Sequence, residues 1–543
     1  MSADASTTQH HSTRETLQSL IVAFVMAMVF RGFVLEGFEI PTGSMAPTLL
    51  GRHVRLDSWA TDYSFPADSA PILDPSRMRV DPRTQRQVPD LPPGFIDPMI
   101  SQSERLPWGP TAAGALQERL GDRVLVLKYL WPLTAPKRWD VVVFRNPTDP
   151  VGDSQYYIKR LVGMPNESLA LLDGDVFAGS DQSDLQIQRK PVHVQRAVWQ
   201  PVYNSDYQPV DIKQYDSVAR RPWAGAPWRG AGWLMRGERE WRWESAAAAS
   251  LQWDNTVLPI DDYTAYNMFR MRRGDGGADG FPVSDIRLSA SIAADDPQAL
   301  ATALRLTARS HVFMWELGAG QVRLSVRHAE GGASVAEVVV SAALPGRSPA
   351  VVEFWHVDQR MSLWFDGREV AALEYDFGGP LGRLKASHFG RTLEQYLQSP
   401  LSQKPTPPAL EWEFSGTPVA LRRVQLDRDL YYRPAFLNPA DQFSTNGEPI
   451  TGLAFGIDVR NPPRLGERDY LMLGDNSAAS RDGRLWGRPH TLVNEHLDYD
   501  TPFLVPEQML IGKAWSVYFP APQPPWPGGM NVVPDFGQVR FIR

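Results

Sequence analysis

The stretch Ile40-Pro41-Thr42-Gly43-Ser44-Met45-Ala46-Pro47-Thr48-Leu49 decides how this chain is read. It sets one serine in a tight Pro/Gly turn, directly after an apolar run near the N-terminus. Gly43 lets the backbone pass close to a ligand, so the Ser44 amide can face a substrate carbonyl. A serine hydroxyl is a weak nucleophile until a neighbour takes its proton; without such a neighbour Ser44 is an ordinary turn or N-cap residue. Downstream, Tyr156-Tyr157-Ile158-Lys159-Arg160 reads as a strand with a lysine among apolar residues. A lysine serves as a base only if its pKa falls from about 10.4 towards 7–8, which costs roughly 4 kcal/mol and follows from burial. No acid lies within five residues of Lys159, and strand alternation puts Tyr157 and Lys159 on one face. Lys128, in Val124-Leu125-Val126-Leu127-Lys128, is the rival base. Left in water, either is a plain strand lysine.

At 543 residues the chain is long enough for two or three domains. A net charge of −7 gives no electrostatic footprint for nucleic acid. With no cysteine, disulfides, thiolate metal sites and a cysteine nucleophile are excluded. The 47 prolines and 42 glycines point to a β-rich body with many turns.

Residues 1–13 are polar and read as a short disordered tail. From Leu17 to Leu35 the chain is mostly apolar, without interruption from Leu20 to Phe30, against the roughly 20 residues a bilayer core requires. Arg31 sits near one end, where its stem can snorkel to the interface. A cleavable signal peptide has an apolar core of this length, but Arg31-Gly32-Phe33-Val34-Leu35-Glu36 is a poor cleavage site. A buried core helix is the third reading, and a retained anchor is the expectation. Only Arg14 precedes the run among basic residues, so flanking charge says little about orientation.

Near the C-terminus comes Gly474-Asp475-Asn476-Ser477-Ala478-Ala479-Ser480-Arg481-Asp482-Gly483-Arg484. With Phe38 to Met45 and Tyr157-Ile158-Lys159-Arg160-Leu161-Val162-Gly163-Met164-Pro165, in this order, it resembles the type I signal peptidases, membrane-anchored Ser/Lys proteases. Gly121 to Val126 resembles a strand of that family. Pro136 to Phe144 resembles its Arg-Gly-Asp-Val-Val-Val-Phe box, with Trp139 in place of the glycine, so an altered turn is expected there. The resemblance implies Ser44 as nucleophile, Lys159 as base, and the Ser44 amide with the Thr42 hydroxyl as oxyanion donors. It implies that Ser480 orients the Lys159 amine by a hydrogen bond, that Asp482 and Arg484 form a supporting ion pair, and that Asp475 and Asn476 support the site. Gly483 stands where the family usually has serine. Phe38, Ile40, Leu49, Tyr157 and Ile158 are expected to line pockets for small residues at positions −1 and −3 of an Ala-x-Ala site, the substrate pairing as a strand; each also reads as plain core. The implied partners are preproteins with signal peptides, the lipid bilayer and nearby secretion machinery, with no cofactor, metal or nucleic acid. The implied location is the cytoplasmic membrane, single-pass, with the tail inside and the catalytic domain outside.

The boxes cover under half the chain. From 186 to 260 tryptophans gather (Trp199, Trp223, Trp228, Trp233, Trp241, Trp243, Trp253), either as core or as a stacking face for a ligand. From 281 to 430 short alternating runs recur, such as Gln321 to Arg327, Val338-Val339-Val340 and Val351 to Trp355. Ser362 to Val370 reads as a strand pair round Asp366-Gly367. Spacing predicts an antiparallel sandwich, and Trp364-Phe365-Asp366-Gly367-Arg368-Glu369-Val370 resembles hairpins of laminin-G/concanavalin-like folds, which bind sugars, proteins or nothing. Gly274 to Gly280 is a flexible loop rather than a calcium loop, since the ligand spacing is missing.

The expected fold is mainly β, divided as a tail (1–14), a transmembrane helix (15–36), a catalytic domain (37–185, with a loop insertion about 52–118), an inserted sandwich (186–440) and the rest of the catalytic domain (441–543). The expected activity is signal-peptide cleavage through a Ser44/Lys159 dyad and an acyl-enzyme. Two other readings are an anchored surface-binding protein whose sandwich takes a glycan or protein on a vestigial peptidase core, and a self-processing Ser/Lys protease.

Overall fold

The computed structural model describes residues 5–58, 60–70, 78–80, 87–89, 94–105, 118–129, 135–149, 156–209, 225–236, 239–268, 280–346, 349–388, 390–439, 442, 448–523 and 531–543. Trp223 and all but the last residue of the Gly274 to Gly280 run lie outside them.

A helix runs Ala5–Phe33, and its stretch Arg14–Phe33 is long and apolar enough to cross a membrane. None of that stretch is buried against the protein, and Leu17, Leu20 and Phe24 are exposed, which removes the core-helix reading. The helix ends three residues before the expected limit of 36 and begins at Ala5, within the stretch read as a disordered tail. Leu35 and Glu36 already belong to the strand Leu35–Glu39, paired with Leu127 and Val126. Lys128 is occupied here: its Nζ pairs with Glu36 at 2.9 Å and donates to the Gly32 carbonyl at 2.8 Å.

The strands bearing the family-like boxes form one sheet. Its order is Leu35–Glu39, Arg123–Lys128, Leu510–Phe519, Val141–Arg145, Tyr156–Gly163, Asp469–Leu473 and Val505–Pro506, with Arg540–Phe541 pairing Leu510–Phe519. Val141 to Phe144 are buried on both faces, so this strand is an unbroken apolar run rather than an alternating one. Trp139, in the turn before it, has a φ of +75°, in the left-handed region that favours glycine. The buried indole repays part of that strain: its Nε1 donates to the Arg189 carbonyl at 3.2 Å and its ring lies 5.2 Å from the Lys190 ammonium.

Two antiparallel sheets face each other in the inserted stretch. One places Val419–Arg428 between Glu240–Trp243 and Ile286–Ala294, then continues through Ala350–Val357, Arg360–Phe365 and Arg368–Glu374. The other runs Ala249–Trp253, Ala409–Ser415, Ala301–Ala308, His311–Gly318, Gln321–His328 and Ser334–Ser341 after Trp228–Arg229. Alternation is strict in Ile286–Ala294, whose inward residues enter a core shared with Trp315 and Trp412. Trp199, Trp228, Trp241 and Trp253 are buried, with Trp233 and Trp243 packed against the core, so these tryptophans are core. Asp366 and Gly367 both have positive φ, as a two-residue hairpin turn requires.

The sandwich meets the peptidase-like part through buried charge. Asp173 and Asp175 flank the tip of the hairpin Ser168–Leu172/Asp175–Gly179 and enter a cluster with Asp285, Asp358 and Asp429. Arg383 binds Asp173 at 3.0 Å and Asp175 at 2.5 Å; Arg309 binds Asp173 at 2.9 Å and also Asp285; Lys190 binds Asp358 at 2.7 Å and Asp429 at 2.8 Å. Five carboxylates thus face three cations. Burial, and then the neighbouring Asp285, pushes the Asp175 carboxyl well above the usual range, and burial lifts Asp429 to about 6. Protonation absorbs part of the excess negative charge.

Candidate active site

Thr42 is extended and exposed, and the chain then closes a short 3-10 turn over Gly43–Met45. Three tethers fix this turn. The Asn476 amide N–H donates to the Ser44 carbonyl at 3.1 Å, Asn476 Nδ2 donates to the Gly43 carbonyl at 2.8 Å, and the Thr48 hydroxyl donates to Asp475 at 2.6 Å. Asp475 in turn receives both Arg160 Nε (2.8 Å) and Nη2 (2.7 Å), an ion pair with no exposure on either side. The lysine strand and the serine turn are therefore locked to one loop, 474–484. Gly474 makes the close approach possible: a side chain there would meet Ser480 Oγ and the Ser44 carbonyl.

Lys159 Nζ lies 2.5 Å from Ser44 Oγ. The lysine is 3 % exposed, and burial lowers its pKa to about 8, against an upward pull from Asp482 and Asp475. Sequence proximity hid those two acids, which lie more than 300 positions away. The amine sits 5.9 Å from the Tyr157 ring on the same strand face.

The expected hydrogen bond from Ser480 to Lys159 is not made. Ser480 Oγ is buried without a hydrogen-bond partner among the described residues; it packs over Gly474, while the amine turns to Ser44. Asp482 and Arg484 are paired, with Nε and Nη2 each 2.8 Å from a carboxylate oxygen, and Asp482 also accepts from the Gly474 amide at 3.0 Å. Gly483 has no room for the family's serine: a Cβ would press on Leu471 and the Phe503 carbonyl. Phe38, Ile40, Leu49 and Ile158 gather in one apolar cluster that also contains Met45, a residue the sequence reading missed. Tyr157 does not join it. It faces the other way, towards Phe144 and Trp486. Tyr266 and Asn267, from the inserted stretch, also reach the turn; nothing in the sequence marked them.

The serine turn thus lies on a buried lysine carried by an antiparallel sheet. Residues 112–217 match the family described as "Signal peptidase, peptidase S26", a span that includes Lys159 but not Ser44. Signal peptidase I of Rickettsia canadensis is 24% identical over 192 residues, 35% of this chain and 51% of that protein. That of Rickettsia typhi is 24% identical over 186 residues, 34% and 49%. The probable signal peptidase I-2 of Synechocystis is 30% identical over 69 residues, 12% and 31%. The chain thus spans about half the length of the Rickettsia relatives it matches. It contains a type I signal peptidase-like domain. Among solved structures, carbohydrate-binding module CBM66 of Bacillus subtilis aligns with 11% identity and a TM-score of 0.21, over 37% of this chain and 95% of the module. The Caenorhabditis elegans galectin LEC-6 aligns with 10% identity and a TM-score of 0.19, over 36% and 99%.

Proposed function

We propose that this protein is a membrane-anchored signal peptidase that cleaves N-terminal signal peptides from exported preproteins. The observation that carries the reading is the 2.5 Å approach of the buried Lys159 amine to the Oγ of the half-buried Ser44. The neutral amine takes the hydroxyl proton as Ser44 Oγ attacks the scissile carbonyl. The oxyanion develops against the Ser44 amide and the Thr42 hydroxyl. The leaving amine collects the proton from Lys159, and a water deprotonated by the same lysine hydrolyses the acyl-enzyme. Ile40, Met45, Leu49 and Ile158 are buried core beside the turn, which leaves the partly exposed Phe38 and Tyr157 to meet an extended substrate. The helix Arg14–Phe33 serves as the single-pass anchor in the cytoplasmic membrane, with the sheet outside.

The test is cleavage of a preprotein with an Ala-x-Ala site, in detergent or lipid. Wild type is expected to cut at that site and Ser44→Ala to leave it intact. A folded wild type that cuts none of several preproteins overturns the reading, and a ligand screen on the sandwich follows. The pH profile adds a second check. Only the free amine is a base, and burial sets half-deprotonation at about 8. Activity is therefore expected to rise about tenfold per pH unit below that point and to level above it. A profile flat from pH 6 to 9 argues against Lys159 as the base.

A further inference from the structure

We infer that Tyr266 and Asn267, two residues of the inserted stretch, are positioning residues that hold the Ser44 turn in its reactive shape; this rests on the reading of Ser44 as the nucleophile. They belong to a short 3-10 turn, Ala265–Asn267, and both are buried.

The Tyr266 ring lies flush on Gly43, leaving no space for even one added carbon there, and its hydroxyl donates to the Arg52 carbonyl at 2.8 Å. Tyr266 therefore presses on the turn at Gly43 and is pinned beyond it at Arg52. Asn267 acts through Asn476. Its Nδ2 donates to Asn476 Oδ1 at 2.6 Å, and its Oδ1 accepts from Asn476 Nδ2 at 2.8 Å. The Gly43 carbonyl can only accept, so the bond to it from Asn476 Nδ2 fixes which way that amide points. With Asn267 in place, both N–H groups and the oxygen of the Asn476 side chain are engaged. Without it, the amide that holds Gly43 is free to rotate.

The segment is itself anchored to the sandwich. Arg428, at the end of the strand Val419–Arg428, donates from Nη2 to the carbonyls of Asp262 (3.1 Å) and Tyr263 (3.2 Å) and to the Thr264 hydroxyl (2.9 Å). On the other side Met268 enters the small core of Val54, Leu56, Phe65 and Phe95. A continuous set of contacts thus runs from a sandwich strand to the backbone on either side of Ser44 Oγ. In this chain the insertion is part of the frame of the site.

The experiment uses full-length protein in detergent, steady-state cleavage of an Ala-x-Ala preprotein, and amide exchange over residues 42–49. Asn267→Leu keeps the side-chain size and removes both hydrogen bonds. It is expected to lower kcat about 100-fold, with KM unchanged, Tm lower by a few degrees for the unpaired Asn476 oxygen, and faster exchange at Ser44 to Ala46. A second pair guards against misfolding of that variant. Gly43→Ala collides with the Tyr266 ring, and Gly43→Ala/Tyr266→Ala removes the collision. The double variant is expected to be no worse than Tyr266→Ala alone, a non-additivity that independent structural damage does not produce. Unchanged kcat in Asn267→Leu, or additive losses in the pair, overturns the inference while wild type still cleaves. A silent wild type instead overturns the nucleophile reading, and this inference with it.

Discussion

Lys159→Met is expected to abolish cleavage, by about 10⁴-fold or more, and to leave the protein at least as stable at pH 7. Both halves follow from the same burial. The amine is the proposed proton acceptor for Ser44, and a methionine has neither the charge nor a basic lone pair. The stability half follows from linkage. The folded pKa of about 8 lies below the unfolded value of about 10.4, so the unfolded chain binds more protons between those limits. Stability then rises with pH through this window, and at pH 7 the buried ammonium costs about 3 kcal/mol. Methionine removes that cost and forfeits one hydrogen bond, worth about 1 kcal/mol. Thermal or denaturant unfolding at pH 7 and pH 9 measures it: wild type gains between the two, and Lys159→Met does not. A variant that loses activity and stability together would mark Lys159 as a structural cation instead.

Arg383→Met carries the largest expected loss of stability, about 3–5 kcal/mol, or about 10 °C in Tm. Its guanidinium is buried and spans Asp173 and Asp175. Asp173 retains Arg309 and the Ser387 hydroxyl, but the five carboxylates of the cluster are left with only Arg309 and Lys190 as cations. That added uncompensated buried negative charge is what makes breaking the cluster costly; replacing the whole of it by apolar residues need not be. A double variant with Asp175→Leu should recover part of the loss, and equal Tm for the single and double variants would refute the pairing. Because the cluster joins two folding units, scanning calorimetry of Arg383→Met is expected to split into two transitions where wild type shows coupled unfolding.

The serine turn and the lysine strand were legible because both rest on local pattern: a Pro/Gly turn after an apolar run, and a lysine inside a period-2 strand. The sandwich strands were legible for the same reason, since Ile286–Ala294 alternates without exception. Their order was not. Val419–Arg428 finds Gln200–Asn204, Glu240–Trp243 and Ile286–Ala294, the first across more than two hundred positions, a choice made by core packing. Lone charges are illegible too. Asp175, Asp285, Asp358 and Asp429 each read as solvated acids until the fold brings them together. The Ser480 expectation missed for a different reason: a motif supplies a hydroxyl to the neighbourhood, but torsions set where it points. Asn267 and Tyr266 carry no signal because their partner, the Ser44 turn, is over two hundred residues distant.

The sheet order also dictates a calendar of synthesis. Strand Leu510–Phe519 lies between Arg123–Lys128 and Val141–Arg145, so two early strands wait for one made several hundred residues later. The sandwich, whose strands lie between 200 and 428, can close on itself well before. A nascent chain therefore presents a finished insertion and an unfinished sheet with two bare edges, a state open to mispairing. Ser44 and Lys159 leave the ribosome early, yet the sheet that carries them cannot close until residue 519 has been made.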